Sequence, residues 1–353
     1  MGRALELAQR GLYTTTPNPR VGCVIVREGG VAGEGWHEQA GAPHAEIHAL
    51  RESGAKARGA TVYVTLEPCA HHGRTPPCCD ALIAAGAARV VAAMQDPNPL
   101  VAGKGCSVLG AAGIAVETGL METEARELNV GFVSRMTRGR PWVRMKIAAS
   151  LDGKTALSNG KSQWITGPEA RRDGHAFRAR ACAVLTGIGT VKDDDPQLTV
   201  REVETSRQPV RVVIDSRLET PPAAKILGAG MLIAAAARDE SKVRALEARG
   251  AEIIVLPNPH GKVQLPDLLR ELARRGMNEV HVEAGYKLNG SLLNEGCVDE
   301  LVIYLAPGII GDAARGMFHL PELTDLSARR GLRVTDLRQI GADIRVIARV
   351  EPV

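Results

Sequence analysis

The sequence predicts an α/β protein made of two layered domains. Its 353 residues are about twice the usual length of one domain. In both halves of the chain, short apolar segments of strand length alternate with amphipathic segments, an order typical of layered α/β folds. The basic segment Thr137–Pro141, which contains Gly and Pro, separates the two alternations. We therefore expect one domain at residues 1–140 and a second at residues 141–353.

The first domain opens with a short amphipathic helix and a β-hairpin. The two strands of the hairpin, Val21–Val26 and Val31–Trp36, flank Gly29-Gly30, a common turn sequence. Apolar periodicity then predicts alternating helices and strands. These are the helix Ala45–Glu52, the strand Thr61–Leu66, the helix Cys79–Ala85, the strand Arg89–Ala93, the helix Gly103–Ala111, the strand Ile114–Glu117 and the helix Glu122–Asn129.

The second domain repeats this alternation over a longer stretch of chain. Its predicted strands are Trp142–Ala148, Ala183–Thr186, Val210–Ile214, Met231–Ala235, Glu252–Leu256, Glu279–Glu283, Glu300–Leu305 and Ile344–Val350. Its predicted helices are Pro168–Arg178, Ser241–Arg249, Pro266–Arg275 and Leu288–Asn294. We therefore expect a second, larger α/β domain.

Composition and charge narrow the possible functions. Lys and Arg number 44 against 40 Asp and Glu, basic residues form no long run, and aromatic residues make up 3% of the chain. A nucleic-acid-binding surface usually needs a basic patch or stacked aromatic rings, so we expect no nucleic acid as a partner. The longest apolar run, Met231–Ala237, is too short to span a membrane, and the chain does not start with a signal peptide. We therefore expect a cytoplasmic protein.

The strongest chemical signal is a set of metal ligands in the first domain. Three of the seven cysteines fall between residues 69 and 79, and His44 precedes Glu46 by two positions. His44, Cys69 and Cys78 would bind zinc and leave a fourth tetrahedral position for water, as in catalytic sites. Zinc makes such a water nucleophilic at neutral pH, and Glu46 could carry the proton to a leaving amine. This order of residues is typical of zinc-dependent deaminases.

Prolines indicate how these side chains converge. Residues two apart do not share a face of a regular helix, so His44 and Glu46 can meet only where a helix begins. Pro43 fits such a start. Pro76-Pro77 likewise precede a helix that carries Cys78, and a helix N-terminus favours the thiolate form of that cysteine.

The residues alone leave other interpretations open. Cys69 and Cys78 could be buried core thiols, because cysteine packs as a small apolar residue. A structural zinc site could take His71 or His72 as its fourth ligand, which would leave no place for a catalytic water. Cys79 could replace Cys78 as a ligand, although we expect Cys79 in the core.

The insert between the two cysteine ligands indicates a particular family. Ala70–Pro77 separates Cys69 from Cys78, whereas the signature of the cytidine and tRNA-adenosine deaminases is Pro-Cys-x-x-Cys. The insert ends in Gly-Arg-Thr-Pro-Pro, and Pro17-Asn18-Pro19-x-Val21-Gly22 stands near the start of the chain. Both strings resemble the bifunctional deaminase/reductases of riboflavin biosynthesis. The resemblance implies a cytidine-deaminase-like three-layer sandwich, one zinc ion on His44, Cys69 and Cys78, and Glu46 as the catalytic proton shuttle.

The insert also suggests how a phosphorylated substrate could be held. His71, His72 and Arg74 could bind a phosphate and a ribose beside the zinc. The alternative is a structural loop in which Arg74 forms a local ion pair.

The second domain lacks the common nucleotide-binding motifs. Gly187-Ile188-Gly189 is only a fragment of the Rossmann fingerprint, and neither Gly153-Lys154-Thr155 nor Gly160-Lys161-Ser162 has the first glycine of a P-loop. Glu283–Ser291 joins a strand to a helix, where backbone N–H groups could bind a pyrophosphate. The same turn could also be an ordinary glycine cap.

Five segments of this domain resemble the reductase half of the same riboflavin-pathway family. They are Lys146–Gly153, Ser162–Thr166, Asp194–Arg201, Val213–Ser216 and Val282–Gly285. The resemblance implies a dihydrofolate-reductase-like fold, which explains the missing Rossmann fingerprint. It implies NADPH contacts at Ala148, Trp164, Thr190, Asp194, Ser216, Gly285, Tyr286, Lys287, Leu288, Asn289, Gly290 and Ser291. It implies substrate contacts at Ser162, Arg178, Leu198, Arg201 and Glu283.

Charged residues suggest further roles. Arg178 and Arg201 are suited to clamp the substrate phosphate. Arg217, beside Ser216, is our candidate for the 2′-phosphate of NADPH. Lys146 and Asp152 lie near the end of a predicted strand and could assist proton transfer.

Together these interpretations predict a bifunctional enzyme. It would deaminate 2,5-diamino-6-(5-phosphoribosylamino)pyrimidin-4-one to 5-amino-6-(5-phosphoribosylamino)uracil, and then reduce the ribosyl side chain to ribityl with NADPH. We expect a small phosphoribosylaminopyrimidine as the substrate, no membrane partner, and a homo-oligomer such as a dimer. Two alternatives are a nucleic-acid deaminase with a C-terminal RNA-binding module and a non-enzymatic, zinc-stabilised nucleotide sensor.

Overall fold

The computed structural model describes residues 1–71 and 76–351. The chain forms two compact units, Met1–Arg140 and Pro141–Val353. Both units are α/β, as the sequence predicts. The connection between them is shorter than expected, because a helix covers Val130–Arg138 and so takes up the start of the predicted linker. That helix ends at Gly139, whose φ of 65° is one that glycine adopts without strain.

In the first unit, helices and strands alternate after an initial hairpin. Its helices are α1 (Gly2–Gln9), α2 (Ala45–Ser53), α3 (Cys78–Ala85), α4 (Lys104–Ala111), α5 (Glu122–Leu128) and α6 (Val130–Arg138). Its strands are β1 (Gly22–Arg27), β2 (Gly30–Trp36), β3 (Thr61–Val64), β4 (Arg89–Ala92) and β5 (Ala115–Thr118).

These strands form one sheet in the order β2-β1-β3-β4-β5. Strand β1 is antiparallel to both of its neighbours, and β3, β4 and β5 are parallel. Apolar residues of α2, α3 and α4 pack with the inward residues of the sheet in one core cluster, while α1 and α5 contribute to separate clusters. The result is a three-layer sandwich in which helices α2 and α3 share a layer.

Glycines bring helix α2 unusually close to strand β2. A Cβ atom at Gly35 would lie 2.4 Å from the carbonyl oxygen of Ala45, and a Cβ atom at Gly33 would lie 2.3 Å from that of Ala49. No side chain fits at such distances, so glycine is required at both positions. This close packing fixes the first turn of α2 against the sheet.

The second unit contains a longer alternation. Its strands are β6 (Trp142–Ser150), β7 (Lys154–Ala156), β8 (Ala183–Gly187), β9 (Val210–Ile214), β10 (Met231–Ala235), β11 (Ala251–Val255), β12 (Glu279–Val282), β13 (Glu300–Ala306), β14 (Arg315–Gly316), β15 (Leu332–Ile340) and β16 (Asp343–Val350). Its helices are α7 (Pro168–Arg180), α8 (Ile188–Asp194), α9 (Glu240–Glu247), α10 (Leu265–Arg274) and α11 (Tyr286–Asn294).

The main sheet of this unit has the order β11-β10-β9-β8-β12-β6-β13-β16-β15. All pairs from β11 to β13 are parallel, whereas β16 is antiparallel to both β13 and β15. Because the strands from β11 to β13 run in one direction, their carboxyl ends lie along one edge, where ligands of open α/β sheets usually bind.

The sequence did not predict β7, α8, β14 and β15. Strands β7 and β14 have only three and two residues, and α8 contains polar residues that favour turns. Strand β15 is exposed along almost its whole length, so it lacks the apolar alternation by which a half-buried strand is recognised. Among the described residues, no helix combines the length and hydropathy needed to cross a bilayer.

Candidate active sites

His44 and Glu46 meet at the start of helix α2. His44 occupies the N-cap position with an extended backbone (φ −76°, ψ 165°), and Glu46 follows in the first turn. The Glu46 side chain is buried, and its Oε2 atom has no hydrogen-bond partner among the described residues. Burial raises the pKa of Glu46 above its usual value. This carboxyl group is thus placed and tuned to exchange a proton with a neighbouring molecule.

Two sulfur atoms complete a cluster with His44. Cys78 is the first residue of helix α3, and its backbone N–H donates to Cys69 Sγ at 3.3 Å. His44 Nδ1 lies 3.3 Å from Cys78 Sγ and 3.6 Å from Cys69 Sγ. The ligand atoms of all three residues lie within 4.8 Å of one another. An imidazole nitrogen and two sulfurs are donors that zinc prefers, so these residues fit a zinc ion.

A hydrogen bond between the two thiols shifts their pKa values in opposite directions. A hydrogen bond from the Cys78 side chain lowers the pKa of Cys69 to about 4. The same hydrogen bond and burial raise the pKa of Cys78. The hydrogen bond thus favours the thiolate form of Cys69, which is the form of cysteine that binds metal ions.

Other candidate ligands lie outside this cluster in the described part of the chain. His71 does not belong to the group formed by His44, Cys69 and Cys78. The Cys79 thiol donates instead to the backbone oxygens of Pro68 (3.4 Å) and Gly105 (3.6 Å), and its side chain is buried in the core. His72, named above as a rival fourth ligand, lies outside the described residues.

The phosphate-binding role suggested for the insert falls mostly on residues that are not described. His72 and Arg74 belong to residues 72–75, which lie outside the described part of the chain. Of the three residues named for this role, only His71 is described, and it is exposed.

Glu67 fixes the segment that follows strand β4, a role that no motif indicated. Its buried carboxylate accepts the backbone N–H groups of Asp96 (3.0 Å), Gly103 (2.9 Å) and Cys106 (3.1 Å). Glu67 stands two residues before Cys69, so these bonds join the metal loop to the segment after β4. The Glu-Pro-Cys string was visible in the sequence, but its long-range partners were not.

His37 is a second residue that the motifs missed. Its ring nitrogens lie 3.0 Å from the Asn18 side-chain amide and 3.1 Å from the Pro43 carbonyl oxygen. The ring also makes an edge-to-face contact with His44, with 5.3 Å between centroids. His37 therefore links the Pro-Asn-Pro segment to the residue that precedes the metal ligand. A polar residue directly after strand β2 was the only signal for it in the sequence.

The second unit contains a cavity of about 1450 Å³ at the carboxyl edge of its parallel strands. Of the residues predicted to contact the cofactor, all but one line this cavity: Ala148, Trp164, Thr190, Asp194, Ser216, Gly285, Tyr286, Lys287, Leu288, Asn289 and Ser291. Gly290 does not line it. A Cβ atom at Gly290 would lie 1.9 Å from the backbone oxygen of His319, so this glycine serves close packing instead.

The predicted substrate residues line the same cavity. They are Ser162, Arg178, Leu198, Arg201 and Glu283. Arg178 differs from the expectation of a free phosphate clamp, because its guanidinium donates to both oxygens of Glu283 and to the Thr199 carbonyl oxygen (3.0 Å). Arg201 is exposed and donates to the Thr199 hydroxyl at 2.9 Å. Arg201 is therefore the better placed of the two arginines to bind a phosphate.

The ion pair of Arg178 sets the charge of Glu283. Burial alone would raise the pKa of Glu283, but the charge and hydrogen bonds of Arg178 outweigh it and hold this pKa well below its usual value. Lys146 also lines the cavity, and burial lowers its pKa. A lysine that loses its proton more readily suits the proton-transfer role suggested for it.

Asp152 does not suit that role. Hydrogen bonds from the Ser150 hydroxyl and from the backbone N–H groups of Gly311 and Ile310 lower the pKa of Asp152 to about 2. The side chain fixes the loop after β13 and is absent from the residues that line the cavity. Its sequence position near a strand end could not reveal these local partners.

Two neighbours of the cavity were not predicted. His175 on helix α7 is buried, and its Nδ1 accepts the backbone N–H of Arg201 at 3.1 Å. The Arg171 guanidinium stacks on the Trp164 ring, 4.6 Å from its centroid. Both pairs join α7 to loops that carry predicted ligands.

Comparisons with known proteins bear on both units. Residues 141–346 match the family model "RibD C-terminal domain", and residues 1–94 match "Cytidine and deoxycytidylate deaminase zinc-binding region". The chain is 50% identical to the riboflavin biosynthesis protein RibD of Escherichia coli over 357 aligned residues, which cover 98% of this chain and 96% of that protein.

The chain is also similar to solved structures over almost its whole length. The Acinetobacter baumannii RibD structure superposes with a TM-score of 0.93 at 44% identity and covers 99% of this chain and 98% of that one. A Thermotoga maritima diaminohydroxyphosphoribosylaminopyrimidine deaminase/5-amino-6-(5-phosphoribosylamino)uracil reductase superposes with a TM-score of 0.85 at 33% identity, over 99% and 97% of the two chains.

Proposed function

The chain belongs to the family of the bifunctional riboflavin biosynthesis protein RibD, and from this premise we propose which residues carry each reaction. The protein is a deaminase and a reductase of riboflavin biosynthesis, and it uses zinc and a nicotinamide cofactor. Its fold class is confirmed as well: a cytidine-deaminase-like unit and a second unit similar to dihydrofolate-reductase-like reductases. The two alternatives without a reductase activity are thereby excluded.

We assign the deaminase reaction to residues 1–140. The observation that supports this assignment is a buried carboxylate oxygen of Glu46 that has no hydrogen-bond partner in the described part of the chain, next to one nitrogen and two sulfur donors. His44, Cys69 and Cys78 would hold one zinc ion. When bound, zinc supplies a Lewis acid that makes water nucleophilic at neutral pH. Three protein donors leave room in a tetrahedral site for that water.

In this proposal Glu46 moves the proton. The substrate, 2,5-diamino-6-(5-phosphoribosylamino)pyrimidin-4-one, gains water at C2, the ring carbon whose amino group is lost, while the amino group on C5 is kept. Glu46 accepts the proton of the water and delivers it to the departing nitrogen, which leaves as ammonia. The product is 5-amino-6-(5-phosphoribosylamino)uracil. His37 and Asn18 orient the wall beside His44 through the hydrogen bonds described above.

We assign the reductase reaction to residues 141–353, with NADPH as the cofactor. The reduction adds a hydride at C1 of the ribosyl group and a proton at the sugar oxygen, so that the ring opens to a ribityl chain. The cavity can hold both ligands, because it has about 1450 Å³ of space. The Arg178–Glu283 pair and Lys146 lie at the end proposed for the sugar. Arg201 is proposed to bind the phosphate.

One experiment tests the order of the two reactions. The purified protein is given the diaminopyrimidine substrate and NADPH, with and without a zinc chelator. We expect the chelator to stop both ammonia release and NADPH oxidation, and addition of the uracil product to restore NADPH oxidation alone. NADPH oxidation that continues from the diaminopyrimidine in the presence of chelator would contradict the proposal.

We also propose that the protein is a homodimer in the cytoplasm. Strand β15 is the last strand of its sheet, and its Leu332, Val334 and Leu337 side chains are 44%, 58% and 66% exposed. Such an edge can be covered by a second copy of the chain. Cell fractionation and sedimentation of the purified protein test the two statements separately.

A further inference from the structure

One end of the reductase cavity is formed by a turn that follows strand β11. Pro257 and Val263 pair across this turn, and Asn258 Oδ1 accepts the backbone N–H groups of His260 and Lys262, both at 2.9 Å. These bonds hold the turn in one conformation. Asn258, His260 and Lys262 all line the cavity.

The turn is connected to a proposed cofactor residue. The backbone N–H of Val263 donates to Ser216 Oγ at 3.3 Å. Ser216 follows strand β9 and lines the cavity as well. Lys262, which precedes Val263, therefore belongs to the same wall of the cavity as Ser216.

The order of the strands shows which end of the cofactor reaches this wall. The residues proposed to hold the sugar, Arg178, Glu283 and Lys146, lie on α7, after β12 and on β6. In the sheet, β9 is separated from β6 by β8 and β12, which is three strand spacings or about 14 Å. Since the nicotinamide must reach the sugar, the adenosine half of the cofactor extends toward β9 and Ser216.

NADPH differs from NADH only by a phosphate on the adenosine ribose, so the charges at this end decide between the two. Arg217 is 74% exposed and its Nε lies 3.0 Å from Glu219. Lys225 lies 3.2 Å from Asp195. Both cations thus already contact a carboxylate, and Glu219 is shared between Arg217 and Lys192. In the part of the chain that the structure describes, no ion pair involves Lys262.

We propose that Lys262 binds the 2′-phosphate of NADPH beside Ser216 and thereby sets the preference for NADPH over NADH. The inference rests on the proposed function of residues 141–353. It replaces Arg217 as the main determinant, because the guanidinium of Arg217 is paired with Glu219. The Ser216 hydroxyl accepts from Val263 and keeps its own proton to donate to a phosphate oxygen.

The test compares ligands that differ only in this phosphate. Binding of 2′,5′-ADP and of 5′-AMP to the full chain is measured by titration calorimetry. We expect Lys262→Ala to weaken 2′,5′-ADP at least tenfold and to change 5′-AMP less than twofold. Lys225→Ala, which removes a paired lysine at the same end, is the control and should change both ligands less than twofold.

Three results would overturn the assignment. They are an unchanged affinity of Lys262→Ala for 2′,5′-ADP, an equal loss for both ligands, and an equal effect of Lys225→Ala. Kinetics provide a second readout, since Lys262→Ala should raise KM for NADPH and leave KM for NADH unchanged. If the wild-type protein bound 2′,5′-ADP no more tightly than 5′-AMP and oxidised NADH as fast as NADPH, the proposed cofactor preference itself would be wrong, whatever the Lys262 variant does.

Discussion

Arg178 of helix α7 and Glu283 after strand β12 form a two-point ion pair in the wall of the reductase cavity, with Nη2 2.9 Å from Oε2 and Nε donating to Oε1. Both side chains are 14% exposed, so the pair is largely shielded from water. Such a planar, double hydrogen bond needs arginine, because lysine offers a single charged nitrogen.

Replacement of Arg178 by lysine tests the importance of this geometry. Arg178→Lys keeps the charge but loses one charge-assisted hydrogen bond, about 1.5–3 kcal/mol. We expect NADPH-dependent reduction of the uracil substrate to fall roughly ten- to a hundredfold, while ammonia release in the same preparation stays unchanged. Arg244→Lys, an exposed arginine on α9 outside the cavity lining, is the control. Full reductase activity in Arg178→Lys would show that the two-point geometry is not needed.

Glu46→Gln tests the proton shuttle of the deaminase. The glutamine keeps the size of the side chain but cannot carry a proton, so ammonia release should fall by about 10²–10⁴-fold. Zinc content should stay at the wild-type level, and reduction of added uracil substrate should continue. The same change at Glu52, on the exposed side of helix α2, should leave ammonia release unaltered. A Glu46→Gln protein with wild-type deaminase activity would exclude this residue as the shuttle.

Adjacent cysteines allow a matched test of the zinc site. Cys78 Sγ lies 3.3 Å from His44 Nδ1, whereas the Cys79 thiol donates to backbone oxygens in the core. We expect Cys78→Ser to lose zinc and ammonia release, because a hydroxyl is a much poorer zinc ligand than a thiolate. Cys79→Ser should keep its zinc. Elemental analysis by mass spectrometry measures the metal, and zinc loss confined to Cys79→Ser would reverse the assignment.

Because His175 is buried, we predict that the local stability near the reductase cavity depends on pH. Burial, with the charges of Arg178 and Arg201, lowers the pKa of His175 to about 4 from an ordinary value near 6.5. Between these values the unfolded chain binds a proton that the folded protein does not. The destabilisation that His175 causes should therefore be absent above pH 6.5 and grow as the pH decreases toward 4.

His175→Gln provides the comparison. Glutamine can still accept the Arg201 N–H but does not titrate, so its stability should fall less over the same pH range. Hydrogen exchange of peptides covering residues 168–201, corrected for intrinsic rates, measures the local opening free energy at each pH. Parallel pH curves for the two proteins would show that His175 does not contribute.

Because strand β15 is the proposed dimer surface, we predict that charged side chains placed on it prevent dimer formation. Val334→Lys and Leu337→Lys place ammonium groups on exposed apolar positions of the proposed dimer surface. We expect the double variant to sediment as a monomer at concentrations where the wild type is a dimer. Glu322→Lys, an exposed position outside the strand, should not change the sedimentation coefficient. A dimeric double variant would place the interface elsewhere.

The sequence by itself determined the fold class and the two kinds of reaction, a deamination and a reduction. The grouping of His44, Cys69 and Cys78 was predictable because metal binding demands particular atoms, and those residue types are rare enough to be noticed. Buried strands such as β10 (Met231–Ala235) were predictable because their residues are continuously apolar.

Only the tertiary structure decided which charged side chains are paired within the protein and which can contact a ligand. The sequence could not reveal that Arg178 is held by Glu283, that Asp152 caps a loop, or that Val263, next to Lys262, donates to Ser216. In each case the partners are far apart in the sequence and are brought together by the order of the strands. A sequence pattern shows only which residues are neighbours along the chain. Strand β15 escaped prediction for a related reason, since its main stabilisation is the hydrogen-bonded ladder with β16 rather than burial of its own side chains.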